Sequence, residues 1–200
     1  MHELDIENDF VAIIDFLPSA DRKAMQVSQK LFQLLTAERI RAAYMPCETS
    51  AQFAASFNWL GARSKEGRIF IIHLIGHGTV NGLVMPHGAV VAWKNLSPLF
   101  LKLDPAVVRK CFLNLSCCRG INGIKLNDHL PASSTFFGVI GPSRDISPTE
   151  AIKMNAMFYR KMIQGRKINR IIDDINQRFT HQIIYGLTSA GYRRLKPPTG

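Results

Sequence analysis

Two hydrophobic rhythms alternate along this chain. Residues 10–17 (FVAIIDFL) form an apolar, β-rich run closed by Pro18. Over residues 21–40, apolar side chains recur at Ala24, Val27, Leu31, Leu34 and Leu35, the spacing of one helical face. Residues 42–46 (AAYMP) predict a weaker second strand, and residues 50–62 a helix whose segment ends at Gly67. Residues 68–75 give the clearest strand. It is apolar on both faces, as a central parallel strand covered by helices must be.

After His77 the texture changes. Residues 82–85 and 89–93 are short apolar pieces separated by Pro86-His87-Gly88, which predicts a β-hairpin. A short helix is expected over 95–103, interrupted at Pro98, followed by a strand over 110–116, a loop over 119–131 and a strand over 134–140. Ser147-Pro148-Thr149-Glu150 combines an N-cap serine, a proline at the first helical position and a glutamate that completes a capping box. Ile152, Ala156, Tyr159 and Ile163 are the expected buried stripe of that helix, which Gly165 ends. A second helix presents Ile168, Ile171, Ile172, Ile175 and Phe179 on one face, residues 182–186 suggest one more strand, and the last ten residues read as frayed. The alternation predicts an α/β fold: a three-layer αβα sandwich with a mainly parallel sheet and a hairpin inserted beside it. One domain is expected over residues 1–200, its core spanning about 10–180.

Composition narrows the classes. With 46% hydrophobic residues in 200, the chain can bury a sizeable core. Its apolar runs are too short to cross a bilayer, and its first residues are acidic where a secretory signal would be basic, so no membrane partner and a cytoplasmic location are expected. The four cysteines, at 47, 111, 117 and 118, do not form a disulfide framework and read as reduced thiols. The net charge of +10 is concentrated after residue 150, where ten Lys or Arg face only Asp173 and Asp174. Without interleaved aromatics to stack bases, this basicity reads as a solvated helical surface, and nucleic acid is not an expected partner.

Chemistry gathers at two strand ends. IFIIHLIGHG (69–78) and CFLNLSCCRG (111–120) are apolar runs that stop abruptly in His77-Gly78 and Cys117-Cys118-Arg119-Gly120. In parallel α/β sheets ligands bind at the carboxyl ends of the strands. If these two strands are neighbours, His77 and the cysteine pair emerge together. An imidazole can then take a thiol proton and later return one to a leaving amine. In extended chain Cys117 and Cys118 point to opposite sides, and Cys118, nearer the open edge, is the expected nucleophile. The N–H groups of Gly78 and Cys118 are the candidate oxyanion hole. Ser116 and Cys117 are expected to line the substrate site. His73 reads as a buried, hydrogen-bonded histidine, His87 as solvent-facing, and Cys47 and Cys111 as small apolar fillers. A metal site from His77, His87, Cys117 and Cys118 is disfavoured because adjacent cysteines chelate one ion poorly, and GHGTVNG carries neither nucleotide-binding fingerprint. No metal or cofactor is expected.

These motifs resemble the caspase-like cysteine peptidases. Cys118-Arg119-Gly120 is similar to the end of the caspase Q-A-C-[RQG]-G motif, departing from it at the two residues before. The fit is closer to the CHAT domains, related to caspases and separase: Gly76-His77-Gly78 matches their G-H-G, and Leu115-Ser116-Cys117-Cys118 nearly matches L-S-A-C. Residues 156–165 (AMFYRKMIQG) also look like the CHAT helix A-x-x-F-Y-x-x-L-x-x-G, so the likeness extends from about residue 10 to 179. The resemblance implies a cysteine endopeptidase with His77 as base and Cys118 as nucleophile, in which no third carboxylate is obligatory. Its partner would be a protein or peptide substrate, brought by a recruiting or activating protein where the chain carries no recognition repeats. Asp145, where related domains often hold an acid near the S1 pocket, would favour a basic P1 side chain; helix capping explains it equally well, and Asp128 is a second candidate for the role. The alternative is a caspase-like scaffold or interaction module without turnover.

Overall fold

A computed structural model describes residues 10–68, 70–179 and 181–195. The acidic first nine residues and the last five of the expected tail lie outside them, as do Ile69 and Thr180. In chain order the elements are β1 (Phe10–Asp15), α1 (Ser19–Met25), α2 (Val27–Ala37), β2 (Ala42–Pro46), α3 (Ser50–Lys65), β3 (Phe70–Ile75), β4 (His77–Gly78), β5 (Gly82–Val84), β6 (Val90–Ala92), α4 (Trp93–Phe100), α5 (Pro105–Val108) and β7 (Phe112–Ser116). Two 3₁₀ segments, Gly120–His129 and Ala132–Ser134, lead to β8 (Gly138–Pro142), α6 (Pro148–Ile163), α7 (Ile168–Asn176), β9 (Ile184–Thr188) and α8 (Ser189–Leu195).

Six strands form one sheet in the order β2-β1-β3-β7-β8-β9. The first five run parallel and β9 pairs antiparallel to β8 at the edge. Alternation along the central strands feeds two cores. Phe10, Ala12 and Ile14 of β1 with Phe70, Ile72 and Leu74 of β3 pack against α3, α4 and α5. Val11, Ile13, Ile71 and Ile75 face the other way, toward α2, α6 and α7. Helices therefore cover both faces of a mostly parallel sheet, as the three-layer expectation requires. Among the described residues, no helix is long and apolar enough to cross a membrane.

The structure redraws several expected elements. The helix expected over 21–40 is two helices, split at Gln26, whose φ of 53° is left-handed. The break lets one buried carboxylate, Asp15 at the end of β1, receive Arg22 Nε from α1 at 2.9 Å and the Ser28 hydroxyl from α2. The helix at Pro98 is continuous: Ser97 Oγ donates to the Lys94 carbonyl at 2.7 Å, the acceptor a proline nitrogen cannot serve. The loop expected over 119–131 is mostly 3₁₀ helix, and the strand expected over 134–140 begins only at Gly138. The capping box at Ser147 and Glu150 forms as expected. On α6, however, the buried face is Ala151, Met154, Asn155, Phe158 and Tyr159; of the predicted stripe only Tyr159 is buried, because Asn155 is drawn inward by a hydrogen bond that hydrophobic periodicity does not register. The tail, expected to fray, forms α8 up to Leu195.

Candidate active site

The two chemically loaded strand ends are neighbours. β3 and β7 pair directly with Ile75 opposite Ser116, so the chain leaves the sheet at adjacent points, toward His77 on one strand and Cys118 on the other. Three-stranded pairing then turns the chain back: His77-Gly78 itself is the first strand of an antiparallel sheet with β5 and β6, one strand more than the expected hairpin. Glycine is required on both sides of His77. A Cβ on Gly76 would lie 2.1 Å from the Phe16 ring, and one on Gly78 would lie 2.7 Å from the Cys118 carbonyl oxygen and 2.8 Å from Cys117 Sγ. The histidine loop is thus pressed against the cysteine pair with no room for a methyl group.

His77 and Cys118, both half-buried, line one small cleft of about 60 Å³ with Ile75, Cys117, Ile146 and Pro148. His77 Nε2 donates to Asp21 Oδ2 at 2.8 Å, which leaves Nδ1 as its proton-accepting nitrogen. Cys118 Sγ lies 3.9 Å from the Ile146 carbonyl oxygen, and among the described residues no hydrogen bond joins it to His77. Cys117 is buried in the core, and that burial, aided by the neighbouring Cys118, pushes its thiol far above the ordinary range. Of the two cysteines, Cys117 is buried and Cys118 is half-exposed at the cleft.

Backbone geometry supplies donors at the same place. Thr79 N–H bonds the Gly82 carbonyl at 2.9 Å, so in the alternating antiparallel ladder the Gly78–Leu83 pair is a non-hydrogen-bonded one and the Gly78 N–H points away from β5. Among the described residues the Cys118 N–H has no acceptor either. The chain turns sharply directly after Cys118, at Arg119 with φ 58°. Gly120 is needed for space, since a Cβ there would meet Leu115 Cβ at 2.8 Å.

Asp21 escaped the sequence reading. It stands in the first turn of α1, immediately after β1, and β1 pairs with β3 on the side away from β7. No local motif marks it; the signal was only an acid just past Pro18 at the carboxyl end of a strand, useful once the strand order is known. A buried cluster fixes its helix: the adjacent Arg22 donates to Asp15 Oδ2 at 2.9 Å, to the Leu17 carbonyl at 2.7 Å and to Glu48. Asp15 also accepts from Leu17 N and Tyr44 Oη, so it is well satisfied for a fully buried carboxylate.

The expected substrate contacts differ in their placement. Ser116 lines the cleft, as expected, but is buried, and its hydroxyl accepts from His73 Nε2 at 2.7 Å and donates to Asn155 Oδ1 at 2.9 Å. His73, as expected, is buried and bonded; its Nδ1 accepts from Tyr159 Oη at 2.7 Å, which fixes the tautomer, and burial lowers its pKa to about 3. Asp145 is mostly exposed, pairs with Arg119 Nε at 3.1 Å and is not among the lining residues of this small cleft. Asp128 bonds the Tyr192 hydroxyl. Cys117 contributes to the cleft wall from the core side, as anticipated. His87 is exposed on the β5–β6 turn, and among the described residues no three His, Cys, Asp or Glu side chains converge as metal ligands.

The chain matches no protein-family model, and comparison with curated proteins finds no similar one.

Proposed function

We propose that the protein is a caspase-like cysteine endopeptidase, most similar to CHAT domains, acting through Cys118 and His77. The observation that carries this reading is the pairing of β3 with β7 in a register that delivers His77 and the half-exposed Cys118 to one cleft, with Asp21 on the far nitrogen of the imidazole. In the first step the Cys118 thiol gives its proton to His77 Nδ1, and the thiolate sulfur bonds to the substrate carbonyl carbon. The oxyanion that forms is met by the N–H groups of Gly78 and Cys118. Asp21 stabilises the imidazolium. Collapse breaks the C–N bond, the departing amine takes the proton from His77, and a thioester remains on Cys118. Water, deprotonated by His77, then attacks the thioester and releases the acid and the free thiol.

The cleft holds little more than the reacting atoms, so the rest of a substrate lies across its mouth, where β4–β6 and the segment 143–148 are the nearest walls. Selectivity is expected from those walls or from a recruiting protein. A reducing compartment such as the cytoplasm suits a free thiol nucleophile. Activity-based peptides with P1 Arg, Lys, Asp or Leu test both activity and specificity. Wild type should be captured by at least one of the four, and capture should be lost in His77→Ala. A second reading, a scaffold with the same fold and no turnover, is favoured by the absence of a His77–Cys118 hydrogen bond. It predicts capture by none of the four and reactivity of Cys118 that does not change in His77→Ala.

A further inference from the structure

The segment 143–150 has a second face. Behind it lies a cavity of about 600 Å³ lined by Arg144, Lys153, Arg160, Arg178 and His181. Among the described residues Glu150 is the one carboxylate in its wall, and that charge is already committed: it bonds Arg144 at 2.7 Å and closes the cap of α6, and these contacts, the Arg144 guanidinium first, hold its pKa at about 2. Arg160 reaches Glu38 at 3.3 Å. Lys153 and Arg178 have no ion pair among the described residues. With Arg144 on Glu150 and Arg160 on Glu38, the charges of Lys153 and Arg178 are left to set a positive field in the cavity, and crowding of this kind is relieved by an anion. The cavity, half-open to solvent, has the volume of a small-molecule site. Met157 and Phe179 give it an apolar flank, which a bare inorganic ion would not use.

The cavity also touches the thiol's surroundings through one residue. Arg144 lines it with its side chain, while its carbonyl accepts from the Arg119 N–H at 3.2 Å, next to Cys118. Two residues on, the Ile146 carbonyl faces Cys118 Sγ. A ligand that draws Arg144 from Glu150 therefore pulls on the wall of the cleft.

We propose that this cavity binds a small molecule carrying two or more phosphate groups, and that its occupancy alters access to the Cys118 thiol through Arg144. Multiply charged phosphates match several Arg and Lys donors in fork and point geometry. The proposal does not depend on peptidase activity, only on Cys118 being reachable by a small reagent. The test is calorimetric titration of the full chain with pyrophosphate and with ADP near physiological ionic strength, alongside the rate of Cys118 alkylation by iodoacetamide. Both ligands should bind, and Lys153→Glu with Arg178→Glu should weaken binding by about 30-fold or more while leaving the unliganded melting temperature unchanged. Saturating ligand should change the alkylation rate of the wild type by about threefold or more and leave that of the double variant unmoved. ADP binding more tightly than pyrophosphate would assign the apolar flank to an organic group; equal binding would assign recognition to phosphate alone. No binding to wild type, or equal affinity in the double variant, overturns the site. Binding with unchanged alkylation overturns the coupling.

Discussion

Single residues around His77 carry sharply different duties. Asp21 touches no substrate atom in the proposed reaction; it holds the imidazole in one tautomer and offsets the charge that His77 gains. Both partners are partly exposed, about two-fifths for each side chain, so solvent screens the pair and its effect is smaller than that of a buried triad acid. Asp21→Asn is expected to lower kcat about 10-fold with little change in KM, because the imidazolium exists only after proton transfer. Equal kcat in the variant would remove Asp21 from the mechanism. Gly78 is under a different constraint. Alanine there would put a methyl group 2.7 Å from the Cys118 carbonyl and 2.8 Å from Cys117 Sγ, both on backbone or core positions that yield little. Gly78→Ala should cost about 1–3 kcal/mol of stability and should slow Cys118 modification even where the protein remains folded. Denaturation and labelling of the same sample check the two effects separately.

At the scale of elements, the buried chain Tyr159–His73–Ser116–Asn155 ties α6 to β3 and β7 just beneath the candidate site. Its histidine is neutral in the folded protein and ordinary in the unfolded chain. Between about pH 6.5 and its folded pKa of about 3, the unfolded state binds a proton that the native state refuses, so stability falls as pH falls through that window, by about 1.4 kcal/mol per pH unit from this group. Urea denaturation at pH 6, 5 and 4 should show that slope in wild type and lose it in His73→Gln. An identical pH dependence in the two would show that His73 is not the group responsible. The same elements explain which parts of the fold were legible in the sequence. Runs such as 10–17 and 68–75 betrayed β1 and β3 because both faces are buried, and the cap at Ser147 marked the start of α6. Gln26 did not betray its helix break, since nothing local demands a left-handed residue there; the demand comes from Asp15, which gathers side chains from two helices. Asn155 misled in the same way, a polar residue turned inward for a partner 39 positions away.

For the whole molecule, strand order is what turns scattered motifs into a site. His77 and Cys118 were visible as strand ends, but whether they meet depends on β3 and β7 being neighbours, and the acid beside them depends on β1 lying on the other side of β3. Neither adjacency is written in the residues of those strands. Asp145 shows the converse: adjacent in sequence to Ile146, whose carbonyl faces the thiol, it is largely exposed, pairs with Arg119 and is not among the residues lining the cleft. The basic end of the chain, legible as charge, becomes specific only where α6 and the segment after α7 fold it around one cavity. The central claim is that Cys118, activated by His77, is the nucleophile. Intact-mass measurement and peptide mapping after reaction with a peptidyl electrophile test it most directly, on wild type, Cys117→Ala, Cys118→Ala and His77→Ala. The predicted result is one adduct on Cys118 in wild type and in Cys117→Ala, none in Cys118→Ala, and a rate about 100-fold or more lower in His77→Ala. Full labelling of Cys118→Ala, or labelling indifferent to His77, would contradict it.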